Sequence, residues 1–294
     1  MNLEKIFNNK QNYQEKLTVI IVTFHSGEII ENLINQLEQS IKILIIENSK
    51  DFSLKSKLEE KYSNVEVIIS HNNIGVGAAI NVGLKKVKTK YSLQLSPDVE
   101  VDKKMIQILV EEADKIENFS ILSPKDHDHQ YGNEMYMKPK QNEKINQMNK
   151  VAGYAMLINM KNISRIGYFD EKIFLYFEEF DFCIRCNKEK LPIYLLNDAK
   201  IRHKGNASIN KKYNHAIEVN RSWHYCWSKF YYFKKHYGYF YGLKKTFPNL
   251  IRAVKNYIYY VFKRDKQNSL IKKAEISGLF SSYALKKSIY RPKI

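Results

Sequence analysis

Five carboxylates, Asp170, Glu171, Glu178, Glu179 and Asp181, stand among aromatic residues between Phe169 and Arg185, in a 294-residue chain whose net charge is +17. Apolar surroundings disfavour the charge of an acid and raise its pKa. A carboxylate tuned in this way can take a proton from a hydroxyl. The group Glu178-Glu179-x-Asp181 is therefore a candidate general base. Acids also favour the positive end of a helix dipole, so a helix start is the competing structural explanation.

Other residues have types and spacings suited to chemistry. In Ser96-Pro97-Asp98, the carboxylate can hold a hard divalent cation that bridges substrate phosphates, whereas Pro and Asp together also favour a plain turn. His203 matters to that site only if it reaches Asp98 in space. The stretch from Asn73 to Gly83 contains Gly75, Gly77 and Asn81 and can cradle a phosphate at a helix start, or simply turn a strand into a helix. Its spacing is not G-x-G-x-x-G, and it lacks the Lys-Ser/Thr of a P-loop. Cys183 and Cys186 match C-x-x-C, but the pair falls inside an expected helix with no second ligand pair, and it reads as coincidence.

For these residues to meet, strand ends must converge. Residues 17–23, 41–46, 65–69 and 91–95 are short runs rich in apolar and β-branched side chains, and each predicts a strand, buried in most of these cases. Between them, residues 28–39 place Ile29, Ile30, Leu33, Ile34 and Leu37 at amphipathic helical spacing, and 52–62 and 77–87 read as helices. This alternation predicts a mostly parallel sheet with helices on both faces, whose ligands bind beyond the carboxyl ends of the strands. Four loops, starting at Thr23, Glu47, His71 and Ser96, would converge on that rim. Residues 121–150 read as a long polar loop. A strand over 151–158, a helix over 180–189 stopped near Pro192, and a strand over 193–196 follow. Beyond 216, helices are expected, broken near Gly238, Gly242 and Pro248.

Composition divides the chain unevenly. From Ala216 to Ile294 there are 17 Lys/Arg against 3 Asp/Glu, with half of all aromatic residues, so the preceding body is nearly neutral. A basic aromatic tail can bind nucleic acid or lie on an anionic membrane, with Tyr and Trp at the headgroup level; the body does not read as a nucleic-acid reader, which favours the membrane. Three cysteines argue for a reducing compartment. No signal peptide or membrane-spanning run is visible. The expected organisation is a polar extension (1–16), a catalytic domain (17–215) and a basic helical tail (216–294).

In order and spacing, these pieces resemble family 2 glycosyltransferases of GT-A fold, nearest the rhamnosyltransferase-like branch. The resemblance spans residues 17–208. It rests on Thr23-Phe24, Glu47-Asn48-Ser49, Asn73-x-Gly75 with Asn81-x-Gly83, Ser96-Pro97-Asp98, Gly153, the run from Gly167 to Glu171, the run from Tyr176 to Arg185, and His203. It implies an α/β GT-A body that transfers a sugar from a nucleotide-sugar donor to a glycan or lipid-linked glycan acceptor, with inversion. The donor implied is dTDP-rhamnose, with a UDP-hexose as the rival, and the cofactor is Mg2+ or Mn2+. Thr23, Phe24, Glu47, Asn48, Asn73, Gly75, Asn81, Ser96 and Gly153 would shape the donor site. Asp98 and His203 would hold the metal, Ser96 standing where the family's D-x-D has its first acid. Glu179 stands where the family has its catalytic Asp, and Asp181 competes with it as base. The implied location is cytoplasmic, peripheral to the inner face of the membrane, with the oligomeric state open.

Overall fold

Nine strands form one sheet in the computed structural model, which describes residues 13–127, 142–204 and 214–291. Residues 1–12 of the expected polar extension and 128–141 of the expected middle loop lie outside the described residues. The first half alternates strand and helix: β1 (Leu17–Thr23), α1 (Gly27–Gln36), β2 (Lys42–Glu47), α2 (Phe52–Lys61), β3 (Val65–Ile69), α3 (Val76–Leu84) and β4 (Tyr91–Leu95). There follow β5 (Val99–Glu100), α4 (Lys103–Lys115), β6 (Ile121–Asp126), β7 (Ile145–Met148), β8 (Ala155–Asn159), α5 (Ile163–Ile166), α6 (Glu178–Lys188) and β9 (Ile193–His203).

The sheet order is β3-β2-β1-β4-β8-β6-β9-β5, with β7 also paired to β9. β1 pairs parallel with β2 and β4, whereas β8 runs antiparallel to both β4 and β6. The sheet is therefore mixed. Alternation along β1 sends side chains to two cores. Val19 and Ile21 face Leu33 of α1, Leu58 of α2 and Leu109 of α4, whereas Ile20 faces Ile80 of α3 and Phe182 of α6. Both faces of the strand are covered, which is why it reads as one unbroken apolar run.

Residues 121–150 are not the expected loop, because β6 and β7 lie within them. Ile121 and Leu122 are buried between β8 and β9. The ladder shifts register after Pro124, a residue with no N–H to donate, and that break hides the strand in the sequence. Helix α4 carries its buried residues Met105, Ile106, Leu109, Val110 and Ala113 at helical spacing, although the sequence reading did not single it out. The expected strand over 193–196 is extended by β9 as far as His203.

Three helices complete the chain: α7 (Asn214–Tyr237), α8 (Tyr239–Phe262) and α9 (Lys266–Tyr283). The break between α7 and α8 falls at Gly238, whose φ of +93° suits glycine. Helix α8 then runs through Gly242 and Pro248 without stopping. Gly242 packs where a Cβ would come within 2.9 Å of the Phe230 ring, and Pro248 stands on an exposed position of the helix. Trp223 and Trp227 are 3% exposed and pack α7 against Ala274 of α9, so neither is a surface anchor.

Candidate active site

The ends of β1, β2 and β4 and the β5–β9 pair border a cavity of about 540 Å³. Phe24, Asn48, Asn73, Gly75, Ser96, Asp98 and His203 line it. Asn48 donates from Nδ2 to the Gly75 carbonyl at 3.3 Å, and its buried Oδ1 has no partner in the protein, leaving an acceptor at the cavity wall. Asn73 Oδ1 accepts from the Gly75 N–H at 3.1 Å. Gly75 has φ +87°, and a Cβ there would overlap the Phe174 carbonyl and come within 2.8 Å of the Phe174 ring. The turn before α3 is thus pressed against the loop before α6, and only glycine fits.

Pairing of Val99 with His203 brings Asp98 into reach of the histidine. His203 Nε2 lies 3.4 Å from Asp98 Oδ1, and the Tyr154 ring stacks on the imidazole at 4.9 Å. The Lys204 N–H also donates to the Asp98 carbonyl. A carboxylate and an imidazole side by side on the wall suit a divalent cation that takes its remaining ligands from water and phosphate. No cluster of three or more acidic, histidine or cysteine ligands occurs among the described residues.

Other residues singled out in the sequence lie behind this wall. Thr23 is fully buried at the end of β1. The Glu47 carboxylate accepts the Ser49 N–H at 2.9 Å and the Asp51 N–H at 2.8 Å, so it closes the β2 turn. Asn81 donates to the Phe169 carbonyl at 2.9 Å and accepts the Phe169 N–H at 2.9 Å, pinning that loop to α3. Gly153 passes so close to Glu179 that a Cβ would stand 3.3 Å from the Glu179 Cβ.

The carboxylates of α6 divide into two environments. Tyr176 and Phe177 have φ of +65° and +70°, two consecutive left-handed residues that reverse the chain into α6. Each such non-glycine residue costs about 1–2 kcal/mol. Phe177 is the N-cap and offers no side-chain capping bond. Glu178 and Glu179 are half-buried, yet Oε2 of each is sealed from solvent without a hydrogen-bond partner. Burial drives Glu178 well above the ordinary carboxylate range, and the Glu179 charge adds to this. Burial also raises Glu179 to about 7, against the pull of its own and the Phe180 N–H and of Lys150. Asp181 is fully buried too, but His236 Nε2 at 2.8 Å, Lys235 Nζ at 2.5 Å and Arg185 Nε at 2.9 Å surround it. Burial opposes its charge, yet these partners outweigh burial and hold it at about 2.

Several cavity residues were given no role from the sequence, although Tyr176 opens one of the runs that carry the family resemblance. Phe174, Leu175 and Tyr176 come from the loop before α6, and Ile217, Asn220 and Arg221 come from α7. Burial raises the Tyr176 hydroxyl pKa, the Arg221 charge opposes the rise, and the Glu178 and Glu179 charges add to it. Tyr176 therefore links the cavity to the glutamate pair. Cys183 and Cys186 are buried free thiols inside α6, pushed up by desolvation, and they serve as core.

Residues 18–183 match the family model described as glycosyl transferase family 2. The chain belongs to that family. Over 204 residues it is 25% identical to a hexosyltransferase of low-salt glycan biosynthesis from Haloferax volcanii, covering 63% of this chain and 66% of that protein. Over 201 residues it is 23% identical to a dTDP-rhamnosyl transferase of Shigella flexneri, covering 63% of this chain and 67% of that one. The chain thus spans about two thirds of the length of these curated relatives. This family 2 chain has the GT-A fold of solved glycosyltransferases. A mannosyltransferase from Pyrobaculum calidifontis, in complex with GDP-Man and Mn2+, superposes with a TM-score of 0.58 at 12% identity, over 92% of this chain and 88% of that one. TarS of S. aureus, residues 1–349, gives 0.53 at 14% identity over 94% of each chain.

Proposed function

We propose that this chain is an inverting, divalent-metal-dependent glycosyltransferase that moves a sugar from a nucleotide donor to a hydroxyl of a glycan acceptor. The observation that carries this reading is a sealed glutamate of raised pKa behind a nucleotide-sized cavity that holds a carboxylate–imidazole pair. Phe24 and Asn48 line the nucleotide end, and the unpartnered Asn48 Oδ1 is free to accept a base or ribose donor. Asp98 and His203 are the residues that would hold a cation, whose positive charge stabilises the departing nucleoside diphosphate when bound. Glu179 accepts the acceptor hydroxyl proton as that oxygen bonds the anomeric carbon and the bond to the diphosphate breaks. Glu178, kept protonated, leaves Glu179 as the ionised partner of the pair. Asp181, held ionised by Lys235, Arg185 and a hydrogen bond to His236, is too weak a base for this step and positions α6. We assign rhamnose as the sugar because a relative is named for dTDP-rhamnose. A panel of nucleotide sugars with Mn2+ or Mg2+ tests this: donor hydrolysis restricted to one donor, dependent on metal and lost in Asp98→Ala, is expected. Hydrolysis of none, or full activity in Asp98→Ala, contradicts it.

The acceptor in this reading is a lipid-linked oligosaccharide, met at the inner face of an anionic membrane through the basic tail domain. Among the described residues no helix is long and apolar enough to cross a membrane. Helix α8 supports surface docking instead. It packs inward through Gly242, Thr246, Leu250 and Ala253. Outward at helical spacing it exposes Phe240, Phe247, Ile251, Val254, Ile258 and Phe262, the first and last at 84%. Its sequence holds four Lys/Arg and no acid. An apolar stripe beside cations fits an anionic bilayer surface. Vesicle sedimentation of Phe247→Asp with Ile258→Asp should show binding to anionic lipid lost; retained binding refutes the assignment.

A further inference from the structure

A second cavity, of about 730 Å³, opens among the three C-terminal helices. Tyr176, Ile217 and Arg221 line both cavities, so the two meet at a shared wall. Arg221 of α7, Arg252 of α8 and Lys272 of α9 bring cations to the second one from three helices. Two acids also line it, Glu218 and Glu275, the latter held by Lys272 at 2.5 Å. Behind the wall, Lys229 Nζ donates to Oδ1 of Asn249, itself a lining residue, at 3.0 Å. Burial lowers the Lys229 ammonium pKa, and the charges of Arg252 and Lys245 lower it further. Three cations against two acids leave the lining with a small positive excess, which a concave wall focuses toward an anion.

We propose that this second cavity is an anion subsite for the acceptor, taking the phosphate or diphosphate through which the acceptor glycan is carried. The proposal rests on the glycosyltransferase reading and deepens it by placing the acceptor's phosphate among α7, α8 and α9. The cavity falls within the range of about 300–1,000 Å³ that holds drug-sized ligands, enough for a phosphate group and adjoining sugar. Arg252 is exposed on α8, the helix that carries the outward apolar stripe. A diphosphate at headgroup depth would therefore meet Arg252 and Lys272, while the glycan beyond it extends past Tyr176 toward Glu179.

The test is calorimetric titration of the full chain with farnesyl diphosphate, inorganic pyrophosphate and farnesol, in EDTA so that no cation at Asp98 recruits the diphosphate. Farnesyl diphosphate is expected to bind and to be displaced by pyrophosphate, with farnesol much weaker. Arg252→Glu is expected to weaken farnesyl diphosphate by about tenfold or more, the loss of one charged contact, and Arg252→Lys to restore most of it. Equal binding of farnesol, or unchanged binding in Arg252→Glu, overturns the proposal. Wild-type chain titrated with dTDP and Mn2+ reads the first cavity separately. Failure there counts against the donor reading alone.

Discussion

Glu179 and Asp181 stand two residues apart on one helix, and their surroundings drive their carboxyls in opposite directions. Both are desolvated. Glu179 has an oxygen without a partner, and burial raises its pKa to about 7. Asp181 has His236, Lys235 and Arg185 within 2.9 Å, and its pKa falls to about 2. Burial alone therefore does not make a base. The partner set decides, and Asp181 owes two of its three partners to α7. The same α7 lines the cavity through Ile217, Asn220 and Arg221. The C-terminal helices are thus joined to the site itself, and removing residues 216–294 would dismantle it.

This contrast can be broken at either residue. The largest expected effect is on rate: Glu179→Gln keeps the shape, removes the proton acceptor and should cut transfer by about 10²–10⁴-fold, while nucleotide binding persists. Next comes stability. Asp181→Asn removes the buried charge that Arg185 and Lys235 share, although Lys235 keeps Asp170, and should cost about 1–3 kcal/mol, seen as a lower denaturant midpoint. A silent Asp181→Asn would mean that the ion cluster is ornamental. Smaller still is a stability slope of opposite sign for the two groups. The glutamates hold protons in the folded state above their ordinary value of 4.5, so stability falls as pH rises from there through about 7. For Asp181, folded at about 2 against an ordinary 3.8, the contribution is present above 3.8 and lost as pH falls toward 2. Chemical denaturation across pH 5–7 should slope downward in the wild type and flatten in Glu178→Gln with Glu179→Gln.

Much of the frame was legible because it is local. The apolar runs of β1 to β4 announce their strands, and the loops after them do reach one rim. Asp98 and His203 were named from sequence, but their approach depends on β5 pairing with the far end of β9, which local periodicity cannot show. Glu47 and Asn81 attracted notice as polar residues near the rim, yet both are occupied within the protein, Glu47 by its own turn and Asn81 by Phe169. The α7 residues were hidden because their roles come from contacts across the fold. His236 meets Asp181 from 55 positions away. Glycine and proline misled within α8, where Gly242 is fixed by close packing against Phe230 and Pro248 sits at an exposed position.

The most direct test is the pH dependence of kcat/KM for sugar transfer, measured in wild type and in Glu179→Gln over pH 5–9. A Glu179 base predicts a rise of about tenfold per pH unit up to a break near 7, absent from the residual activity of Glu179→Gln. A wild-type profile flat across that range, or an unchanged break in Glu179→Gln, would contradict it.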